Sequence, residues 1–251
     1  MISPVIIRDT VLGRGRPKIC VPILSADMEE LHKQLLLLRV APYDLVEWRL
    51  DYLADNSVPA TMHAMIRQEI GSKPLLATFR SAREGGMREI DPDEYVHAYD
   101  GILALGTDLI DVEMQQPDGI RDLMIQKAHD HGAYVVMSYH NFESTPPHDE
   151  IIRLFTAMQE SGADICKIAV MPQTKEDVAA LIGASHTMAW NYADRPLISV
   201  SMGELGKSSR VACRFTGSCL TFATAGPSSA PGQFSAEEVS VFLDLSKPAG
   251  E

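Results

Sequence analysis

In the stretch "GADICKIAVMP", Gly162 to Pro172, Lys167 stands inside an apolar run of Ile165, Cys166, Ile168, Ala169, Val170 and Met171. An unpaired ammonium in such a run is costly to desolvate, and a lowered pKa relieves the cost. An amine kept neutral in this way, with Arg49 and Arg80 as a cationic surround, attacks a carbonyl carbon and forms an imine. The imine withdraws electrons, so a proton on the neighbouring carbon comes within reach of a base. His140, at the end of "YVVMSYH", is such a base, and Glu84, in "SAREGG", is a carboxylate able to assist it. Glu47, Arg49 and Asp51 lie in "LVEWRLD", Arg80 ends "PLLATFR", and Asp111 and Glu113 lie in "LIDVEM". Structural readings stand beside the chemical one. The acids and arginines could form an internal ion-pair network, His140 could be a hydrogen-bonded strand end, and Lys167 could pair with Glu113 or Asp111.

These residues sit in or just after eight short apolar runs: 18–24, 45–51, 74–80, 109–114, 134–140, 165–171, 197–202 and 219–225. The intervals carry helical periodicity. Leu31, Leu35 and Leu38 share one face, as do Ile120, Leu123, Met124 and Ala128. Thr174 and Ser235 each precede an Asp or Glu three residues on, the capping-box pattern. Strands apolar on both faces that alternate with helices imply a parallel sheet covered by helices. Eight such units in 251 residues predict an α/β fold, a (β/α)8 TIM barrel, as a single domain over 1–251. In that fold strand C-termini carry the site, which is where the polar residues fall.

A net charge of −12 argues against nucleic acid or an anionic membrane surface as partner. No apolar run is long enough to span a bilayer, and the first residues lack a signal-peptide pattern. Cys20, Cys166, Cys213 and Cys219 show no C-x-x-C spacing and read as buried, reduced thiols of a cytoplasmic protein. No two histidines stand at ligand spacing beside an acid on these runs, so no metal is expected. "LGRGRP" precedes the first run and is not a dinucleotide fingerprint.

The ordered segments "LVEWRLD", "PLLATFRSAREGG", "VVMSYHNF", "ADICKIAVMPQ", "SMGELGKSSRVA", "GSCLTFATA" and "SSAPGQ" resemble those of the type I 3-dehydroquinate dehydratases, from Lys18 to about Leu245. The resemblance implies a hydro-lyase of the shikimate pathway, the route to chorismate and the aromatic amino acids. It would convert 3-dehydroquinate to 3-dehydroshikimate through a Schiff base, without cofactor, as a homodimer. By the same resemblance Lys167 forms the imine, His140 is the general acid and base, and Glu84 orients it. Arg210 receives the substrate carboxylate, and Glu47, Arg49 and Arg80 surround the ring hydroxyls. Ser229 and Gln233 belong to a loop that folds over the ring, and Met202 and Phe222 are apolar walls. Pro22 and Asn141 stand where some members carry a hydroxyl residue and an Asp. Two other readings of the residues remain: a class I aldolase, with Gly203, Gly206 and Lys207 as an anion loop, and a catalytically dead barrel that only binds.

Overall fold

The computed structural model describes residues 2–54 and 58–246; residue 1, residues 55–57 and 247–251 of the expected 1–251 unit lie outside the described residues. The chain opens with an antiparallel hairpin, β1 (Val5–Ile7) and β2 (Thr10–Leu12). Eight parallel strands follow: β3 (Lys18–Ile23), β4 (Leu45–Arg49), β5 (Leu75–Thr78), β6 (Leu109–Glu113), β7 (Tyr134–Asn141), β8 (Ile165–Val170), β9 (Leu197–Ser201) and β10 (Leu220–Phe222). Each of the eight expected runs is one of these strands. They pair in chain order from β3 to β9, and β10 pairs back onto β3. A bridge between Leu197 and Ser218, with Cys219 N–H donating to the Leu197 carbonyl at 2.7 Å, draws β9 and β10 together into a nearly closed barrel.

Helices fill the intervals: α1 (Met28–Leu38), α2 (Ala60–Ile70), α3 (Pro92–Ala104), α4 (Asp118–Asp130), α5 (His148–Glu160) and α6 (Lys175–Asn191). The short α7 (Gly203–Gly206) and α8 (Cys213–Thr216) separate β9 from β10, and α9 (Ala236–Leu245) closes the described chain. Both expected capping boxes form. Thr174 and Ser235 each accept the backbone N–H of Asp177 and Glu238, whose carboxylates return the bond.

Period-two alternation sorts each strand into two faces. The outward set, including Val46, Trp48, Ala77, Ile110, Val112, Met137 and Ile168, packs under the helices. The inward set begins apolar: Cys20, Leu45, Leu76, Leu109, Val136, Ile165, Ile198 and Leu220 form one cluster. Two residues further along, the inward positions turn polar at Glu47, Thr78, Asp111, Ser138 and Lys167. All four cysteines are buried and free, and burial pushes the Cys166 and Cys213 thiols up to about 12.

The hairpin is a feature that the periodicity does not predict. Ile7 and Leu12 join the inward apolar cluster and stopper the end of the barrel opposite the polar layers. Leu12 is wholly buried, so Leu12→Ala should leave a void there and cost about 2–5 kcal/mol, read as a lower urea midpoint at unchanged slope.

Candidate active site

The C-terminal ends of the strands surround one pocket. It is lined by Glu47 and Arg49 from β4, Arg80 and Glu84 after β5, His140 from β7, and Lys167 and Ala169 from β8. Val200, Met202, Arg210, Phe222, Ser229, Ala230, Gln233, Gly85 and Phe142 complete it. The eleven residues to which the dehydratase resemblance gives a catalytic or binding role all line this cavity, whereas Asp51, Asp111 and Glu113 lie behind it.

Arg80 is the most connected of them. One guanidinium nitrogen (Nη1) donates to Glu113 Oε1 at 3.1 Å, to Ser138 Oγ at 2.9 Å and to Glu84 Oε2 at 3.3 Å. The other (Nη2) lies 2.7 Å from Asp111 Oδ1 as an ion pair without an aligned hydrogen bond. Glu113 Oε1 also accepts the Ser81 N–H at 2.8 Å. Arg49 is held differently, by a two-pronged pair with Asp51 at 2.8 Å on each prong. Glu47 accepts from the Thr78 hydroxyl at 2.9 Å. The internal ion-pair network is thus real, and it is built around the pocket.

His140 Nδ1 lies 2.8 Å from Glu84 Oε2, which also accepts the His140 backbone N–H at 3.1 Å. Oε2 already accepts from the main chain and from Arg80, and in the tautomer that adds a third donor to it Nδ1 carries the proton. Nε2 is left with its lone pair. Burial, then Arg80, Lys167 and Arg49, hold the imidazole well below its ordinary value, which keeps it a neutral base. Burial raises Glu84 to about 8, against the pull of Arg80. Its Oε1 is buried and accepts no hydrogen bond, so a full charge there would be solvated from one side only. Asn141 does not touch this pair. Its carboxamide oxygen accepts the N–H groups of Glu143 and Ser144 at 2.9 Å and shapes the turn after β7.

Lys167 is 5% exposed. Its Nζ donates to Asp111 Oδ2 at 3.2 Å and lies 4.6 Å from the centre of the Phe222 ring. Of the two acids considered, Asp111 is the neighbour. That carboxylate is shared, since Ser138 Oγ donates to Oδ1 at 2.6 Å beside Arg80. Burial opposes its charge, but Arg80 and Lys167 win and hold it below the usual carboxylate range.

Arg210 is 2% exposed and, among the described residues, pairs with no carboxylate. Its Nη2 donates to the Pro231 carbonyl at 2.9 Å, its Nε has no partner, and burial lowers it to about 10. A buried cation with idle donors facing a cavity is able to receive an anion. The Pro231 carbonyl belongs to the loop that carries Ser229 and Gln233, which bond each other: Gln233 Nε2 donates to Ser229 Oγ at 2.9 Å, and Ser229 N–H donates to Gln233 Oε1 at 3.0 Å. Gly232 lets this loop lie down, because a Cβ there would stand 2.3 Å from the Gly203 carbonyl.

The segment that could pass for a phosphate loop is packed instead. A Cβ on Gly206 would sit 2.5 Å from the Ser201 backbone, and the Lys207 ammonium lies over the Phe234 ring at 4.7 Å. The sequence places Asp111 and Glu113 among the polar residues at the strand ends but assigns them no catalytic or binding role, and it does not single out Ser138 or Phe142. The spacing of Asp111 and Glu113, two residues apart, is that of inward neighbours on one strand. Among the described residues, no group of three or more His, Cys, Asp or Glu side chains is disposed to hold a metal ion.

The sequence model of the type I 3-dehydroquinase family matches residues 19–249. The 3-dehydroquinate dehydratase of Syntrophotalea carbinolica is 43% identical over 248 residues, covering 97% of this chain and 98% of the relative. A type I 3-dehydroquinate dehydratase from Clostridium difficile, solved with covalently modified comenic acid, superposes with a TM-score of 0.92 at 40% identity, covering 98% of each chain. The 3-dehydroquinate dehydratase of Enterococcus faecalis does so at 0.90 and 35% identity, covering 98% of this chain and 100% of the other.

The titration of the His140–Glu84 pair has a measurable consequence for stability. Folded, Glu84 keeps its proton to about pH 8, against an ordinary value of 4.5. The stability this supplies is full below about pH 4.5 and is lost as pH rises to about 8. His140 works in the opposite sense: its lowered value supplies stability above 6.5 that is lost as pH falls. Glu84→Gln removes only the first titration, so in urea unfolding the variant should gain on wild type from about pH 5 to about pH 8. A constant difference across that range would mean that Glu84 is ionised throughout.

Proposed function

The chain belongs to the type I 3-dehydroquinase family, and from that premise we propose that it is a hydro-lyase converting 3-dehydroquinate to 3-dehydroshikimate through an imine at Lys167. The observation that carries the reading is the convergence on one pocket of an enclosed amine, a histidine with a free Nε2 and an arginine with unused donors.

Arg210 takes the substrate carboxylate with its idle nitrogens and turns the ring so that the ketone meets Lys167. The amine adds to the ketone carbon, and loss of one water gives the iminium. His140 Nε2 removes a proton from the carbon next to the iminium, and the electron pair enters the ring as an enamine. The enamine returns that pair and expels the hydroxyl one carbon further on, which leaves with the proton from His140 as a second water. Addition of water to the conjugated iminium releases the enone and restores the amine. Glu84 fixes the histidine tautomer by accepting from Nδ1. Asp111, within reach of Nζ, is placed to move protons during addition and hydrolysis. Arg49 and Arg80 contribute mainly by fixing carboxylates, because Asp51 takes the Arg49 fork and four side chains surround Arg80. Glu47 accepts from the Thr78 hydroxyl, forms no ion pair among the described residues and suits a ring hydroxyl. Met202 and Phe222 wall the ring, and the Ser229–Gln233 loop covers it.

The reading takes the chain as one catalytic domain that needs no metal or nicotinamide and serves the shikimate route to aromatic amino acids. It places the protein in the cytoplasm as a homodimer, by family resemblance. Among the described residues no helix is long and apolar enough to cross a membrane.

Borohydride added to enzyme and dehydroquinate should fix the ligand's mass on the peptide containing Lys167. Lys167→Ala should lose both adduct and turnover. His140→Ala should keep the adduct while turnover falls by about 10²–10⁴. Labelling at Lys207 or Lys175 would overturn the assignment.

Arg210→Ala should raise KM strongly and lower kcat, a combined loss of about 2–5 kcal/mol in kcat/KM. A substrate analogue lacking the carboxylate should bind the variant and wild type equally. If the variant still preferred the acid as strongly as wild type does, another group would hold the carboxylate.

A further inference from the structure

The ladder between β5 and β6 runs through Leu76↔Leu109, Ala77↔Ile110 and Thr78↔Asp111, and there it ends. At that register the next groups in line are the Phe79 N–H with the Asp111 carbonyl, and the Glu113 N–H with the Phe79 carbonyl. Two phenol hydroxyls from α3, on the outer side of the barrel, occupy the seam. Phe79 N–H donates to the Tyr99 hydroxyl at 2.9 Å, and that hydroxyl donates to the Asp111 carbonyl. Glu113 N–H donates to the Tyr95 hydroxyl at 3.2 Å, which donates to the same carbonyl at 3.3 Å. The two rings, one helical turn apart, are fully buried and meet edge-on at 4.9 Å, with Phe79 edge-on to Tyr95 at 6.4 Å. Burial raises both phenols well above their ordinary value, so each keeps the proton it donates.

The backbone atoms held in this way belong to the residues that organise the pocket. Asp111 holds Lys167 and Arg80, and Glu113 holds Arg80 and the Ser81 N–H. Arg80 in turn reaches Glu84, the partner of His140. We propose that Tyr95 and Tyr99 are positioning residues for the active site: their hydroxyls part β5 from β6 and fix where Asp111 and Glu113 hold Arg80 and Lys167. A continued ladder would close the space into which the Arg80 head group inserts. The kinetic part of the proposal rests on the dehydratase reading; the geometric part does not.

Tyr99→Phe and Tyr95→Phe keep the rings and remove one hydroxyl each. Ile102→Val, a buried aliphatic change on the same helix, controls for lost packing. Each protein is measured for dehydroquinate turnover, for melting temperature and, without substrate, for the rate at which acetic anhydride labels Lys167. For Tyr99→Phe, kcat should fall about tenfold or more with KM within about twofold, because the His140–Glu84 pair is displaced and not the anion site. Labelling of Lys167 should rise about threefold or more, because Nζ is no longer held against Asp111 Oδ2. Ile102→Val should leave both readouts at wild-type levels. If Tyr99→Phe does not fold, Tyr95→Phe, with its longer contacts, carries the test. A folded variant with a lowered melting temperature but wild-type kcat and labelling would make the tyrosines packing residues and overturn the proposal. If wild type itself fails to dehydrate dehydroquinate, the dehydratase reading falls by that result alone, and the labelling ratio decides this proposal.

Discussion

Removing a guanidinium from water is costly unless other groups replace the lost solvation, and carboxylates do so most fully. Arg80 meets that condition with Glu84, Asp111 and Glu113, drawn from β6 and the turn after β5. The same acids reach onward: Asp111 to Lys167, Glu84 to His140, Glu113 to the Ser81 backbone. Among the described residues the buried charged side chains of the pocket are Arg49, Arg80, Lys167 and Arg210 against Glu47, Asp51, Glu84, Asp111 and Glu113. Four cations face five acids, and the proton that burial keeps on Glu84 brings the account level near neutral pH. A proton taken from or given to solvent would disturb this balanced set, which favours passing protons between His140 and its neighbours.

Two readings of the polar residues that look like rivals in the sequence are compatible in the structure. The ion-pair network exists, and it is what makes an enclosed amine tenable. Lys167 has a counter-ion, but Asp111 also answers to Arg80 and Ser138, so its hold on the ammonium is divided. Arg49 and Arg80 spend their charge on acids within the wall. Arg210 differs from both: it pairs with no carboxylate among the described residues, so on the dehydratase reading it is the arginine left to meet an anion despite the chain's net charge of −12.

The eight strands are legible in the sequence because strands buried on both faces read as short apolar runs. The capping boxes at Thr174 and Ser235 are legible because they are local. What strand periodicity adds is the change of the inward face from Leu45, Leu76 and Leu109 to Glu47, Thr78 and Asp111, which marks the level where the site begins. The hairpin β1–β2 escapes because two strands of three residues carry too little periodicity, and it owes its place to the barrel end it covers. Tyr95 and Tyr99 escape for another reason. Spaced four apart on a helix, they read as ordinary core aromatics, and only the register of β5 against β6 reveals what their hydroxyls meet. Asp111 rather than Glu113 beside Lys167 is likewise a matter of depth along β6, fixed by the pairing of strands distant in the chain.

On the dehydratase reading, the bond from Arg210 to the Pro231 carbonyl makes one cation serve both the carboxylate and the loop beside it. An acid bound at the idle nitrogens would draw the guanidinium toward itself without breaking its hold on the loop, so occupant and loop would steady one another. Residence time in the pocket would then be coupled to loop opening. A competitor with a well-placed carboxylate would gain persistence from the loop even where it forms no bond to Lys167.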